Sequence, residues 1–95
     1  MKVIAKKAIH LFILAHPEGK GSIESWYAEA KAASWKKSMD IKQRYPAASF
    51  LADKHVIFNI KGNRYRLVTR VSYQSGKVFI RWIGTHAEYD KRTFP

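Results

Sequence analysis

None of the 95 residues is cysteine, which excludes disulfides, thiolate nucleophiles and cysteine-based zinc sites. Acidic residues are scarce, seven against 18 Lys and Arg, and the formal net charge is +11. Such an excess says nothing about the fold but selects anionic partners: nucleic acid, ribosome, membrane surface or acidic protein. Long hydrophobic runs are also missing. The longest nearly apolar stretch, Ala8–Ala15, has eight residues and is interrupted by His10, whereas a bilayer-crossing helix needs about 20. Lys2, Lys6 and Lys7 ahead of it imitate a secretory signal, but His16-Pro17-Glu18 follows in place of a small-residue cleavage site. A cytoplasmic chain without membrane association is expected. Gly19-Lys20-Gly21-Ser22 lacks the spacing of a phosphate loop, and there is no G-x-S-x-G. The histidines at 10, 16, 55 and 86 show none of the i,i+3 or i,i+4 pairings of helical metal ligands. Neither metal nor cofactor is expected.

What is present points to one folded domain, since 46% hydrophobic and 14% aromatic residues are too many for a disordered chain. Ile4, Ala8, Leu11, Phe12 and Ala15 recur with helical spacing, and Pro17, Gly19 and Gly21 end that helix. Ser22 then stands where an N-cap would, ahead of Ile23, Trp26, Tyr27, Ala30 and Ala33 at the same period. Trp35 lies about 180° from Trp26 on an ideal helix, so either the helix ends near Ser34 or Trp35 packs elsewhere. Lys36, Lys37, Lys42 and Arg44 form a basic connection that Pro46 closes. From His55 the period becomes two. His55–Ile60, Tyr65–Tyr73 and Lys77–Ile83 are separated by Lys61-Gly62-Asn63 and Gln74-Ser75-Gly76, which reads as an antiparallel meander. The expected fold is α+β: two N-terminal helices on one face of an antiparallel sheet, with a short C-terminal helical turn.

The charge is arranged. Between Lys54 and Ala87 there is no acid, but Lys54, Lys61, Arg64, Arg66, Arg70, Lys77 and Arg81 all occur there. Alternation puts Arg64, Arg66, Val68, Arg70 and Ser72 on the face opposite Tyr65, Leu67, Thr69, Val71 and Tyr73. Arg81 falls on the Lys77–Phe79–Ile83 face, and its alignment with Arg66 depends on strand register. A solvated sheet face explains charges as such, but it normally mixes both signs. An acid-free stretch interleaved with Tyr65, Tyr73, Phe79 and Trp82 suits phosphate contacts beside base stacking. After the sheet, Thr85 and Glu88 have capping-box spacing. A helix starting there places His86, Tyr89 and Asp90 on one face, near backbone N–H groups suited to a phosphate. RNA can be cut without metal when its 2′-OH attacks the adjacent phosphorus; a histidine for proton transfer and arginines for the phosphorane form a sufficient kit. His86 alone fits a structural turn equally well. Three functions stay open on residues alone: an RNA-cleaving enzyme, a catalytically silent RNA- or ribosome-binding module, and a DNA-binding regulator. The last lacks a helix-turn-helix pattern.

Val56–Asp90 resembles the HigB family of toxin–antitoxin toxins, the RelE-like mRNA interferases. The matching pieces are Phe58-Asn59-Ile60-Lys61-Gly62-Asn63, Tyr65-Arg66-Leu67, Arg81 in VFIRWIGT, and Thr85-His86-Ala87-Glu88-Tyr89-Asp90, with His16-Pro17, Trp26, Trp35 and Tyr45-Pro46 upstream. The resemblance implies a RelE-like twisted sheet carrying two helices, spanning 1–95 as one domain. It implies metal-independent cleavage of mRNA, commonly on the ribosome, neutralised by a HigA-type helix-turn-helix antitoxin through which alone DNA would be contacted. Carried over by position, His86 is the acid–base residue, and Tyr89 and Asp90 position RNA or orient His86. Arg66 and Arg81 grip the scissile phosphate. Lys61 and Asn63 join Lys54, Arg64 and Arg70 as RNA contacts.

Overall fold

A computed structural model describes residues 1–92. Its elements are β1 (Lys2–Ile4), α1 (Lys7–Ala15), a 3-10 turn (Pro17–Gly19), α2 (Lys20–Ala32), α3 (Ser38–Arg44), β2 (Ser49–Leu51), β3 (His55–Ile60), β4 (Tyr65–Ser72), β5 (Lys77–Thr85) and α4 (His86–Asp90). They form a five-stranded sheet in the order β1-β5-β4-β3-β2. The expected α+β architecture is present, with the β3–β4–β5 meander at its centre.

Several local expectations are corrected. Ile4 belongs to a strand, because Ala5 adopts φ 72° and breaks the backbone before α1 begins. β1 runs parallel to β5, so the sheet is mixed, not purely antiparallel. Ser22 is no cap: Pro17 starts a 3-10 turn that runs straight into α2, whose N-cap is Gly19. The basic connection contains α3, started by Asp40 Oδ2, which accepts from Lys36 N at 2.8 Å and Lys37 N at 3.2 Å. On α1, Ile9 and Phe12 turn inward while Leu11 lies outside. α2 ends at Ala32, and Trp35 reaches the core from the segment after it.

The core lies between the helices and one sheet face. Phe58, fully buried, is ringed by Trp26, Tyr45 and Trp35, with centroids at 5.3, 5.1 and 6.1 Å. A second knot joins α1 to β4: the Phe12 ring meets Tyr65 edge-on at 4.8 Å, and the Tyr65 hydroxyl donates to Glu18. That bond is what pushes the Tyr65 hydroxyl pKa up and the Glu18 carboxyl pKa down.

The opposite sheet face is not merely solvated. Cross-strand partners share a face, so His55/Arg70, Ile57/Val68 and Asn59/Arg66 stand in successive rows there. Ile57, Val68 and His55 are buried, and Arg66 and Arg70 are half-buried. Opposite β4, Val68 pairs with Trp82 but Thr69 pairs with Ile80, so Arg81 is the extra residue of a β-bulge. The bulge puts Phe79 with Arg70 on the arginine face and Ile83 with Leu67 on the helix face. Among the described residues, no helix is long and apolar enough to cross a membrane.

Truncating Phe58 to Ala should destabilise the chain by about 3–5 kcal/mol, the range for deleting a fully buried phenyl ring. Urea unfolding should show this as a lower midpoint at unchanged slope. A loss below about 1 kcal/mol would remove Phe58 from the centre of the core.

Candidate active site

The C-terminal end of β5 and the start of α4 form a rigid corner. Thr85 is the N-cap of α4: its side chain accepts from Glu88 N at 3.1 Å, while Glu88 Oε1 accepts from Thr85 N at 2.8 Å. This is the capping box that the spacing predicts. The hydrogen bond from the Thr85 backbone holds the Glu88 carboxyl below its usual range. The next N–H, that of His86, donates to Arg64 O at 3.1 Å and ties α4 to the β3–β4 hairpin end. Gly84 completes the corner. A Cβ there would lie 2.6 Å from the Trp82 ring and 2.8 Å from Glu88 Oε1.

The corner delivers His86 to Arg66. Arg66 Nη2 and His86 Nε2 are 3.0 Å apart, and His86 Nδ1 lies 3.3 Å from Asp90 Oδ2, one helical turn on. Guanidinium N–H groups only donate, so Nε2 must accept; the ring proton is then on Nδ1, where it faces a carboxylate that only accepts. The imidazole is thus fixed in one tautomer between a cation and an anion. The His86 side chain is 40% exposed, so solvent and ligands reach it.

Aromatic rings extend the site. The Arg66 guanidinium stands 4.9 Å from the centre of the Tyr89 ring, Tyr89 lies 6.3 Å from Trp82, and Arg92 stands 5.3 Å from the Trp82 ring. Cation, ring, ring and cation alternate along one edge, a surface able to take a base against a ring and phosphates beside it. The sequence offered Trp82 only as one of several stacking aromatics, and it did not single out Gly84 or Arg92 as site residues. A glycine inside a strand signals close approach of another group, and Gly84 carried that signal for Trp82.

Four of the expected catalytic residues, His86, Arg66, Tyr89 and Asp90, therefore come together. Arg81 is exposed on the bulge and lines a groove bounded by Leu11, Ala15 and His16 on the α1 side and by Trp82, Gly84 and Glu88 of the corner. The expected RNA contacts are spread out. Arg70 shares the Arg66 face four residues along β4, about 13 Å away at strand rise, and meets Asp53 at 3.5 Å. Lys61 Nζ donates to Glu18 O at 2.8 Å, and Lys61, Asn63 and Arg64 belong to the β3–β4 hairpin. Lys54 sits in the turn before β3 with φ 61°. Among the described residues, no three His, Cys, Asp or Glu side chains converge as a metal cage.

Residues 19–92 match the model of the HigB toxin family, described as the RelE-like toxic component of a toxin–antitoxin system. The chain is 32% identical over 92 residues to the mRNA interferase toxin HigB of Escherichia coli K12, covering 95% of this chain and 88% of that one. It is similar to the same extent to the mRNA interferase HigB of Shigella flexneri. To the mRNA interferase HigB of Escherichia coli O6:H1 it is 22% identical over 95 residues, covering 98% of this chain and 92% of that one.

The depressed Glu88 carboxyl makes a pH prediction. A group whose pKa is lower folded than unfolded adds stability above its unfolded value and loses it as pH falls through the folded one. Glu88→Gln should therefore lower the thermal midpoint at pH 7. The two melting curves should converge on acidification through and below the ordinary carboxylate range near pH 4.3. A gap that persists unchanged to pH 2 would mean the charge on Glu88 contributes nothing to the corner.

Proposed function

The chain belongs to the HigB family of RelE-like toxins, and on that footing we propose that it is an mRNA endoribonuclease whose chemistry rests on Arg66, His86, Tyr89 and Asp90. The observation carrying this proposal is the Arg66–His86–Asp90 line. It presents one nitrogen of a neutral imidazole to the arginine face and anchors the other on a carboxylate.

The mechanism follows from what each group can do. A non-bridging oxygen of the scissile phosphate makes a stronger, charge-assisted partner for Arg66 than a neutral imidazole does. RNA binding therefore draws the guanidinium to the phosphate and releases His86 Nε2. The 2′-oxygen attacks the adjacent phosphorus, its proton leaves, the P–O5′ bond breaks and the 5′-oxygen gains a proton. The products are a 2′,3′-cyclic phosphate and a 5′-hydroxyl, with no net change in protons. His86 exchanges the proton at one of these two oxygens and solvent serves the other. Asp90 keeps the tautomer, Arg66 stabilises the charge gathering on the phosphorane, and Tyr89 holds RNA beside it. Arg81, in the groove beside the Gly84 corner, contacts the same RNA strand, and Lys54, Lys61, Asn63, Arg64 and Arg70 add phosphate contacts along the acid-free surface. No metal or other cofactor enters this route.

The partners follow the charge. The substrate is mRNA, presented on the ribosome, and the natural neutraliser is a HigA-type helix-turn-helix antitoxin supplying acidic residues to a surface of net charge +11. DNA is met only through that antitoxin, and the toxin works in the cytoplasm. A catalytically silent RNA- or ribosome-binding module is the competing reading, and the engaged state of His86 Nε2 favours it.

Break mapping with translating ribosomes separates the two. The wild type should produce discrete mRNA breaks, and His86→Ala should abolish them, a loss of at least about a hundredfold, while ribosome binding survives. Equal binding by both proteins with no breaks from either would eliminate the enzyme.

A further inference from the structure

Arg66 is surrounded by more than His86. One of its N–H groups donates to His86 Nε2, and the guanidinium centre faces the Tyr89 ring. Its Nε–H is different. Nε is buried from solvent, and nothing among the described residues accepts its hydrogen. Asn59 is directly opposite Arg66 on β3, and its Oδ1 is likewise buried with no donor among them. The other end of that amide is occupied, since Nδ2 donates to Ala47 O at 3.3 Å. Because a backbone carbonyl only accepts, that bond fixes which side of the amide carries the oxygen. A stranded donor and a stranded acceptor thus stand on facing residues of one sheet face. Buried polar atoms in folded proteins almost always pair, and a stranded N–H on a cation is among the costliest to leave. Facing residues on adjacent strands have Cβ atoms about 5 Å apart, within reach of each other or of one shared water.

We propose that Asn59 is a positioning residue for Arg66: its Oδ1 accepts the Arg66 Nε–H, directly or through one water, and sets the plane of the guanidinium. That plane decides where the outer N–H groups point, toward His86 at rest and toward phosphate when RNA is bound. The placement runs back to Ala47, between α3 and β2, so the far edge of the sheet helps aim the arginine. The benefit to cleavage rests on Arg66 being the phosphate-gripping residue; the hydrogen bond itself is testable without RNA.

Hydrogen exchange at the arginine Nε–H groups of the whole chain, followed by NMR, is the test. Arg66, assigned by the signal lost in Arg66→Lys, should exchange about tenfold or more slowly than the exposed Arg64 and Arg81, as a buried bonded N–H does. Asn59→Ala should bring Arg66 into the exposed range. Asn59→Asp keeps an acceptor oxygen but loses the bond to Ala47, and it should retain the slow exchange. If Asn59 acts only as a structural tie to Ala47, the Ala and Asp variants will behave alike, which overturns the proposal. Wild-type Arg66 exchanging as fast as Arg64 also overturns it, whether or not the variants fold. In RNA cleavage, kcat should fall about tenfold in Asn59→Ala, the equivalent of one lost hydrogen bond, and recover in Asn59→Asp. Slow exchange in a wild type that cuts no RNA would leave Asn59 in place and refute the enzymatic reading instead.

Discussion

A guanidinium donates and never accepts, and the chemistry proposed for this chain depends on that one constraint at Arg66. Its 3.0 Å contact with His86 Nε2 forces the imidazole to be neutral there and to carry its proton on Nδ1, toward Asp90. A second proton on Nε2 would break the contact. The resting site is therefore self-occupied: the phosphate-binding cation and the proton-carrying nitrogen satisfy each other. A phosphate outcompetes the imidazole because it offers the guanidinium a full negative charge. Binding and activation then become one event.

The scaffold makes this contact possible by stiffening a corner that would otherwise be a strand end. Thr85 and Glu88 close the capping box, His86 N donates to Arg64 O, and Gly84 leaves room for the Trp82 ring. On the other side, β4 is sandwiched between β3 and β5, so the backbone beneath Arg66 is fixed by two ladders. The aromatic knot around Phe58 then pins β3 against α2 and the Trp35 and Tyr45 segments. Positions held this way lose little ordering entropy when RNA binds.

Much of this was legible in the residues. The change of period over 55–60, 65–73 and 77–83, with Gly-containing turns between, marks the meander to within two residues of its observed ends. Thr85 and Glu88 announce a helix start because capping is a local rule. The missed elements share a different cause. β1 and β2 have three residues each, too few to display a period, and α3 buries only Ile41. Ser22 followed the grammar of a cap, but Pro17 had already begun the helical path. The position of Arg81 and the partnership of Asn59 with Arg66 depend on register. A bulge shifts register without any change in alternation that the strand itself reveals. Hence the faces of β4 were readable, but on β5 the bulge separates Phe79 from Ile83, which alternation had placed together.

The end groups of the RNA fragments test the central claim most directly, because they report which oxygen attacked. With a chelator present throughout, the wild-type chain acting on ribosome-bound mRNA should leave a 2′,3′-cyclic phosphate upstream and a 5′-hydroxyl downstream. A 3′-hydroxyl with a 5′-phosphate, or cleavage that the chelator abolishes while the ribosomes remain intact, would contradict attack by the 2′-oxygen under control of Arg66 and His86.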